Sequence, residues 1–212
     1  MPVHEPLPRG RAALPPSVVE ASQRRRILEA MTELAAAKGL AAVTVSDITG
    51  EAGVGRKSFY ALFTDKTDCY LAGFAPNARA LLAAVRAAME APGDPIEGLL
   101  EGYRAYLRLL DAQPVHARAY LLEGMRGGPE VIAVREQIHV DFVALTRAAL
   151  TRAGRPVSEP AIVALVGGIN ELVCRELDRP DAAADVAALE PHVIDLVVAV
   201  LRLDTSHLQE ET

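Results

Sequence analysis

Residues Thr44 to Lys66 read Thr-Val-Ser-Asp-Ile-Thr-Gly-Glu-Ala-Gly-Val-Gly-Arg-Lys-Ser-Phe-Tyr-Ala-Leu-Phe-Thr-Asp-Lys. The pattern predicts two short helices joined by a tight turn. Thr44 is placed to cap the first, with Asp47 at the capping-box position three residues on. Ile48 and Ala52, four apart, share one face. Gly53 supplies the left-handed residue that stops a helix, and Val54 then drops between the two. Gly55 opens the second helix, whose Phe59 and Phe63 are spaced to bury one face. Tyr60 is one step round and points away. The second helix thus begins with two cations, a hydroxyl and a phenol: Arg56, Lys57, Ser58 and Tyr60. Donors gathered at a helix N-terminus suit a major groove, where they reach base edges and phosphates together.

Working outward, Ser17–Lys38 reads as a helix with Ile27, Leu28, Met31, Leu34 and Ala35 at helical spacing. Its Arg24-Arg25-Arg26 run is either a phosphate contact or a solvated face. Residues 1–16 hold five prolines and read as a disordered arm, or as one that lays Arg9 and Arg11 along DNA. Asp65 caps a long helix to about Ala91. Further helices are expected over Ile96–Ala112, Val115–Met125, Glu130–Ala153, Ala161–Leu177 and a last segment reaching Leu203, with Pro and Gly between them. The expected fold is all-α.

The net charge of −6 divides unevenly. Residues 1–75 carry nine Lys/Arg against eight Asp/Glu, residues 76–212 thirteen against twenty, and all three lysines (Lys38, Lys57, Lys66) lie in the first part. The acidic surplus is segregated from the two-helix motif. No apolar run reaches the roughly 18 residues of a membrane span, and no signal peptide is expected. Two isolated thiols, Cys69 and Cys174, fit a reducing cytoplasm. Neither a nucleophile elbow nor a phosphate-binding glycine loop is present. The five histidines are scattered, and Glu136-x-x-His139 is a single pair where a di-iron bundle needs two. The chain is expected to be neither an enzyme nor a holder of a metal or cofactor.

From about Arg25 to Phe74 the chain resembles the DNA-binding domain of the TetR family of bacterial transcriptional regulators. The resemblance rests on several ordered matches: Arg24-Arg25-Arg26-Ile27-Leu28, Gly39, Thr44-Val45, Asp47-Ile48, Ala52-Gly53-Val54, Phe59-Tyr60 with Phe63, and Lys66. It departs at Gly55, where the family usually has Ser, and at Ala61-Leu62, where a backbone-contacting Tyr or His is common. The rest of the chain resembles the family only in being helical.

The resemblance implies a disordered arm (1–16), a three-helix helix-turn-helix domain (17–75) and a helical effector-binding and dimerisation domain (76–212). It implies a cytoplasmic homodimer that binds a palindromic operator, represses, and is released by a small, mostly apolar effector. Thr44, Arg56, Lys57, Ser58, Tyr60 and Lys66 are the expected DNA contacts. Tyr103, Tyr106, Tyr120, Phe142 and Asn170 are amphipathic residues on apolar helices and the expected ligand contacts. The segments 162–173 and 193–201 are apolar nearly all round, so each is either central or shared with a partner. The family dimerises through its last two helices, which points to Leu165, Gly168, Ile169, Leu172, Ile194, Val197 and Leu201. Two rival readings remain: a helical binding protein or enzyme whose motif helices merely pack, and a regulator that acts through protein partners.

Overall fold

The computed structural model describes residues 15–91, 93–155, 157–179 and 184–202, and all regular structure in them is helical. Most of the expected arm lies outside these residues. The helices are α1 (Pro16–Lys38), α2 (Val45–Ala52), α3 (Arg56–Leu62), α4 (Lys66–Met89), α5 (Pro95–Asp111), α6 (114–125), α7 (Pro129–Arg152), α8 (Glu159–Leu177) and α9 (Glu190–Arg202).

The head, α1–α3 with the start of α4, forms where local signals agree. Thr44 and Asp47 make a reciprocal capping box: Asp47 N–H donates to Thr44 Oγ1 (3.2 Å) and Thr44 N–H to Asp47 Oδ2 (2.8 Å). Two orphan donors are satisfied at once. Lys38 Nζ sits 2.7 Å from the same carboxylate oxygen. Lys38 and Thr44 together hold the Asp47 carboxyl down at about 2. Gly53 ends α2 at φ 60°, ψ 40°, a conformation other residues enter only with strain. Ile27, Met31, Ile48, Phe59 and Phe63 then close the head core.

The body is a second core built by α4, α5, α7, α8 and α9 around Val85, Leu99, Tyr103, Leu145, Ile162, Leu165, Ile169 and Val197. Asp65 and Asp94 cap α4 and α5, each accepting two backbone N–H bonds. Arg104 bridges Glu97 on its own helix and Glu190 of α9, at 2.7 and 3.0 Å.

Between the two cores lies α6. Its ends, Pro114–Ala117 and Glu123–Met125, are α-helical, but Arg118–Leu122 winds as a π-helix. Such wide turns are rare and recur at functional sites. Nothing in the sequence pattern marked it. Ala117, Ala119, Tyr120, Leu122 and Glu123 are all buried, because α6 has head on one side and body on the other. Its polar atoms hold the head. Glu123 accepts the Leu40 N–H (2.9 Å), Arg118 Nε donates to the Ala36 carbonyl (3.2 Å), and Tyr70 of α4 donates to the Ala119 carbonyl (2.9 Å). Arg118 also reaches the Leu177 carbonyl at the end of α8.

Glu123→Ala strands the buried Leu40 N–H and is expected to cost about 1–3 kcal/mol in denaturant unfolding. Glu123→Gln keeps an acceptor and is expected to cost less. An unchanged Glu123→Ala midpoint would show that this contact does not secure the head.

Candidate functional site

The exposed start of α3 is the candidate reading surface. Arg56 and Lys57 are exposed, Ser58 is partly buried, and Tyr60 is 57% exposed with its ring edge-on to Phe59. Arg56 Nη2 donates to Ser46 Oγ of α2 at 2.6 Å, which holds the guanidinium across the motif. Lys57 has no ion pair or side-chain hydrogen bond among the described residues, so its ammonium is open to a phosphate. Leu62 packs against the head core.

Other expected contacts are committed elsewhere. Lys66 donates to three carbonyls, Leu40 (3.1 Å), Ala41 (3.0 Å) and Val43 (2.9 Å). An ammonium has three N–H groups, so Lys66 clamps the α1–α2 connection and keeps none for phosphate. The N-terminus of α4 is likewise closed to an anion, since the Asp65 carboxylate already takes the Thr67 and Asp68 N–H groups (2.8 and 2.9 Å). Thr44 is exposed, but its hydroxyl donates to Asp47 (2.7 Å). In the arginine run, Arg24 lies over the Phe63 ring, Arg25 pairs with Glu29, and Arg26 reaches the Gly53 carbonyl.

The second feature is a cavity of about 230 Å³, walled by α4–α8. Tyr103, Tyr106, Tyr120, Phe142 and Asn170 all line it, so the structure brings the five expected ligand residues together. The alanines Ala78, Ala80 and Ala84 of α4 leave the space open opposite them. The aromatic hydroxyls differ in what they do. Tyr103 is bonded to Thr146 (2.8 Å) and Tyr120 to Thr32 of α1 (2.9 Å), while Tyr106 has no partner among the described residues. Burial pushes the Tyr103 phenol up to about 12 and raises those of Tyr106 and Tyr120. All three stay protonated as donors near neutral pH.

Tyr120 reaches Thr32 because α4 has no side chain in the way. A Cβ on Gly73 would stand 2.8 Å from the Tyr120 hydroxyl. Pro76 interrupts α4 one turn on, and the Asn77 side chain donates to the Gly73 carbonyl at 2.8 Å, supplying a donor where the ring disturbs the ladder.

Residues 27–72 match the family described as bacterial regulatory proteins, tetR family. The head belongs to the TetR family. No curated protein matches the chain in sequence. Among solved structures, the fatty acid degradation regulator FadR of Bacillus halodurans superposes with a TM-score of 0.75 at 21% identity, covering 91% of this chain and 100% of that one. FadR of Bacillus subtilis, solved with stearoyl-CoA, gives 0.72 at 20%, covering 82% and 97%. The ketosteroid regulator KstR2 of Mycobacterium tuberculosis gives 0.60 at 20%, covering 84% and 93%. The TetR-type fold therefore extends over the helical body, an all-α domain behind a DNA-binding head.

Within that TetR-type body, the residues expected at a seam between protomers divide. Leu165, Ile169 and Val197 are at most 2% exposed in the single chain; they are its own core and cannot also face a partner. Gly168, Leu172, Ile194 and Leu201 are partly exposed. A Cβ on Gly167 or Gly168 would meet open space among the described residues. Sequence reading also missed cavity residues, notably Asn77, Gln113, His116, Arg135 and His139. The signal was available for α7, where Arg135, His139 and Phe142 form an i, i+4, i+7 stripe.

Lys66→Ala removes a clamp of three charge-assisted bonds, and unfolding of the variant is expected to need about 1–3 kcal/mol less. Calorimetry or urea titration checks it. Wild-type stability in the variant would return Lys66 to the list of available phosphate ligands.

Proposed function

We propose that this chain is a homodimeric, effector-responsive transcriptional repressor. One observation supports the reading above the others: Tyr120 lines the cavity and hydrogen-bonds α1 of the head. A cavity with no link to the head would fit the rival reading, a binding protein with a merely structural motif.

On this reading α3 enters the major groove, with Arg56 and Lys57 reaching bases or phosphates and Ser58 and Tyr60 fixing register. Thr44 lies at the edge of the same surface, while Lys66 supports the fold from beneath. Two protomers would present their reading helices about 34–36 Å apart. The seam would be the stripe of the exposed Ala164 and the partly exposed Gly168 and Leu172 on α8 with the partly exposed Ile194, Val198 and Leu201 on α9. Val163 beside it is 41% exposed. Small residues there allow close helix approach.

The effector would occupy the cavity of one protomer and displace the Tyr120 ring, loosening α1 and α4 and misplacing the reading helices. It binds the DNA-free form more tightly, and by linkage DNA weakens it equally. An apolar body fits the lining, and the Bacillus subtilis FadR of similar fold was solved in complex with stearoyl-CoA.

Titration of a palindrome from the chain's own promoter against a scrambled duplex, at several salt concentrations, tests the head. Arg56→Ala is expected to cost about 1–3 kcal/mol on the specific site, and Lys57→Ala to lower the salt slope by roughly one. Leu172→Asp is expected to give folded monomers that no longer bind the operator. Equal affinity for both duplexes, or a wild-type monomer by light scattering, would defeat the proposal.

Tyr120→Phe isolates the switch, because it removes the hydroxyl and keeps the ring in the cavity wall. The variant is expected to bind effector but to show less than the 1–3 kcal/mol, about 5–150-fold, coupling ordinary for such regulators. Full coupling in Tyr120→Phe would move transmission to another contact.

A further inference from the structure

The polar groups of the cavity wall are unevenly signed. Arg135, His116, His139, Asn77 and Gln113 line it, and no Asp or Glu does. Arg135 has no hydrogen bond or ion pair among the described residues. It lines the cavity together with Tyr106 and His139. Tyr106 is 6% exposed, borders the cavity, and its hydroxyl is unpartnered among the described residues. Both groups face the open space of the cavity, so two donors stand ready here for an acceptor that the described residues do not supply. Burial lowers both His116 and His139, which leaves Arg135 as the one permanent cation of the lining.

We infer that the cavity takes an amphipathic monoanion, a carboxylate on an apolar body, with the carboxylate held by the Arg135 guanidinium and the Tyr106 hydroxyl. The inference rests on reading the cavity as the effector site and adds the effector's chemical class. A guanidinium grips a carboxylate through paired N–H bonds, and a phenol beside it supplies a neutral donor. A polyanion would need further cations that the lining lacks, and a cation would meet Arg135 with nothing to offset it. At about 230 Å³ the space falls a little under the 300–1,000 Å³ usual for drug-sized ligands, so a medium-length body fits.

The probes are octanoate, decanoate and dodecanoate, each set against the alcohol of equal length and decanoate also against decyltrimethylammonium, with affinities read by calorimetry on the full chain. At least one carboxylate is expected to bind about tenfold or more tightly than its alcohol, and the cation not at all. Arg135→Gln, which breaks no bond within the described residues, is expected to erase the carboxylate preference while leaving the melting temperature in place. Tyr106→Phe, nearly isosteric, is expected to weaken the carboxylate severalfold and the alcohol little. Equal binding of carboxylate and alcohol, no binding by any carboxylate, or a preference that survives Arg135→Gln overturns the inference. Operator release is measured separately. Carboxylate binding that leaves DNA affinity unchanged sustains the ligand class and sinks the regulatory reading. Operator release by alcohol and carboxylate alike sustains regulation and overturns the class.

Discussion

One side chain belongs to two structures at once. Tyr120 packs in the head core with Tyr70 and Phe74, its ring stacked on Phe74 at 5.4 Å, and the same ring forms part of the cavity wall. Its hydroxyl, bonded to Thr32, ties α6 to α1. Several features exist to make that placement possible. The π-helical turn of α6 carries Tyr120 between head and body, Gly73 clears its path past α4, and Glu123 and Arg118 secure the flanks of the same helix. Separating the Tyr120–Thr32 pair without replacement partners costs about 1–3 kcal/mol, the same size as an ordinary coupling between two ligand sites.

The head spends most of its cations on itself. Lys66, Lys38 and the three consecutive arginines all have partners inside the chain. Lys66, Lys38, Arg24 and Arg26 add contacts between successive segments of the head to the packing of its core, whereas Arg25 pairs within α1. The consequence is a reading surface with few free charges, chiefly Arg56 and Lys57. Binding that rests on few phosphate contacts has a shallow salt dependence and leaves more of the discrimination to base edges and to the spacing of two heads.

What could be read in the sequence was what is decided locally. The capping box at Thr44, the left-handed Gly53, the Asp65 cap and the buried Phe59 and Phe63 depend on residues within four positions of one another, and each is found where its pattern put it. Lys66 was misplaced because its carbonyl partners lie more than twenty residues away, across the α1–α2 connection. Leu165, Ile169 and Val197 fell on the wrong side for a related reason. A helix apolar all round carries no phase that says which face meets its own chain and which meets a second one. The five cavity residues were legible as aromatic or amide side chains on apolar helices. Arg135 was not, since a cation on a mixed helix reads as surface until the absence of a counter-charge is seen in three dimensions.

The two walls of the cavity have different work to do. Any ligand that fills it stabilises the folded protomer by mass action, whatever it does to DNA. Switching demands more, namely a difference in affinity between the two arrangements of the head. The wall made by Phe74, Ala78 and Tyr120 belongs to the head core, whereas Tyr106, Phe142 and Ile169 belong to the body, which the proposed switch leaves in place. A group held at Arg135 alone anchors the ligand equally in both arrangements and shifts nothing. The apolar part must carry the difference, by occupying space that the Tyr120 ring needs when its hydroxyl is on Thr32. In the proposed switch, anchor and actuator are thus separate ends of one molecule, and the length of the apolar body, more than the strength of its charge, decides whether a bound compound also releases DNA.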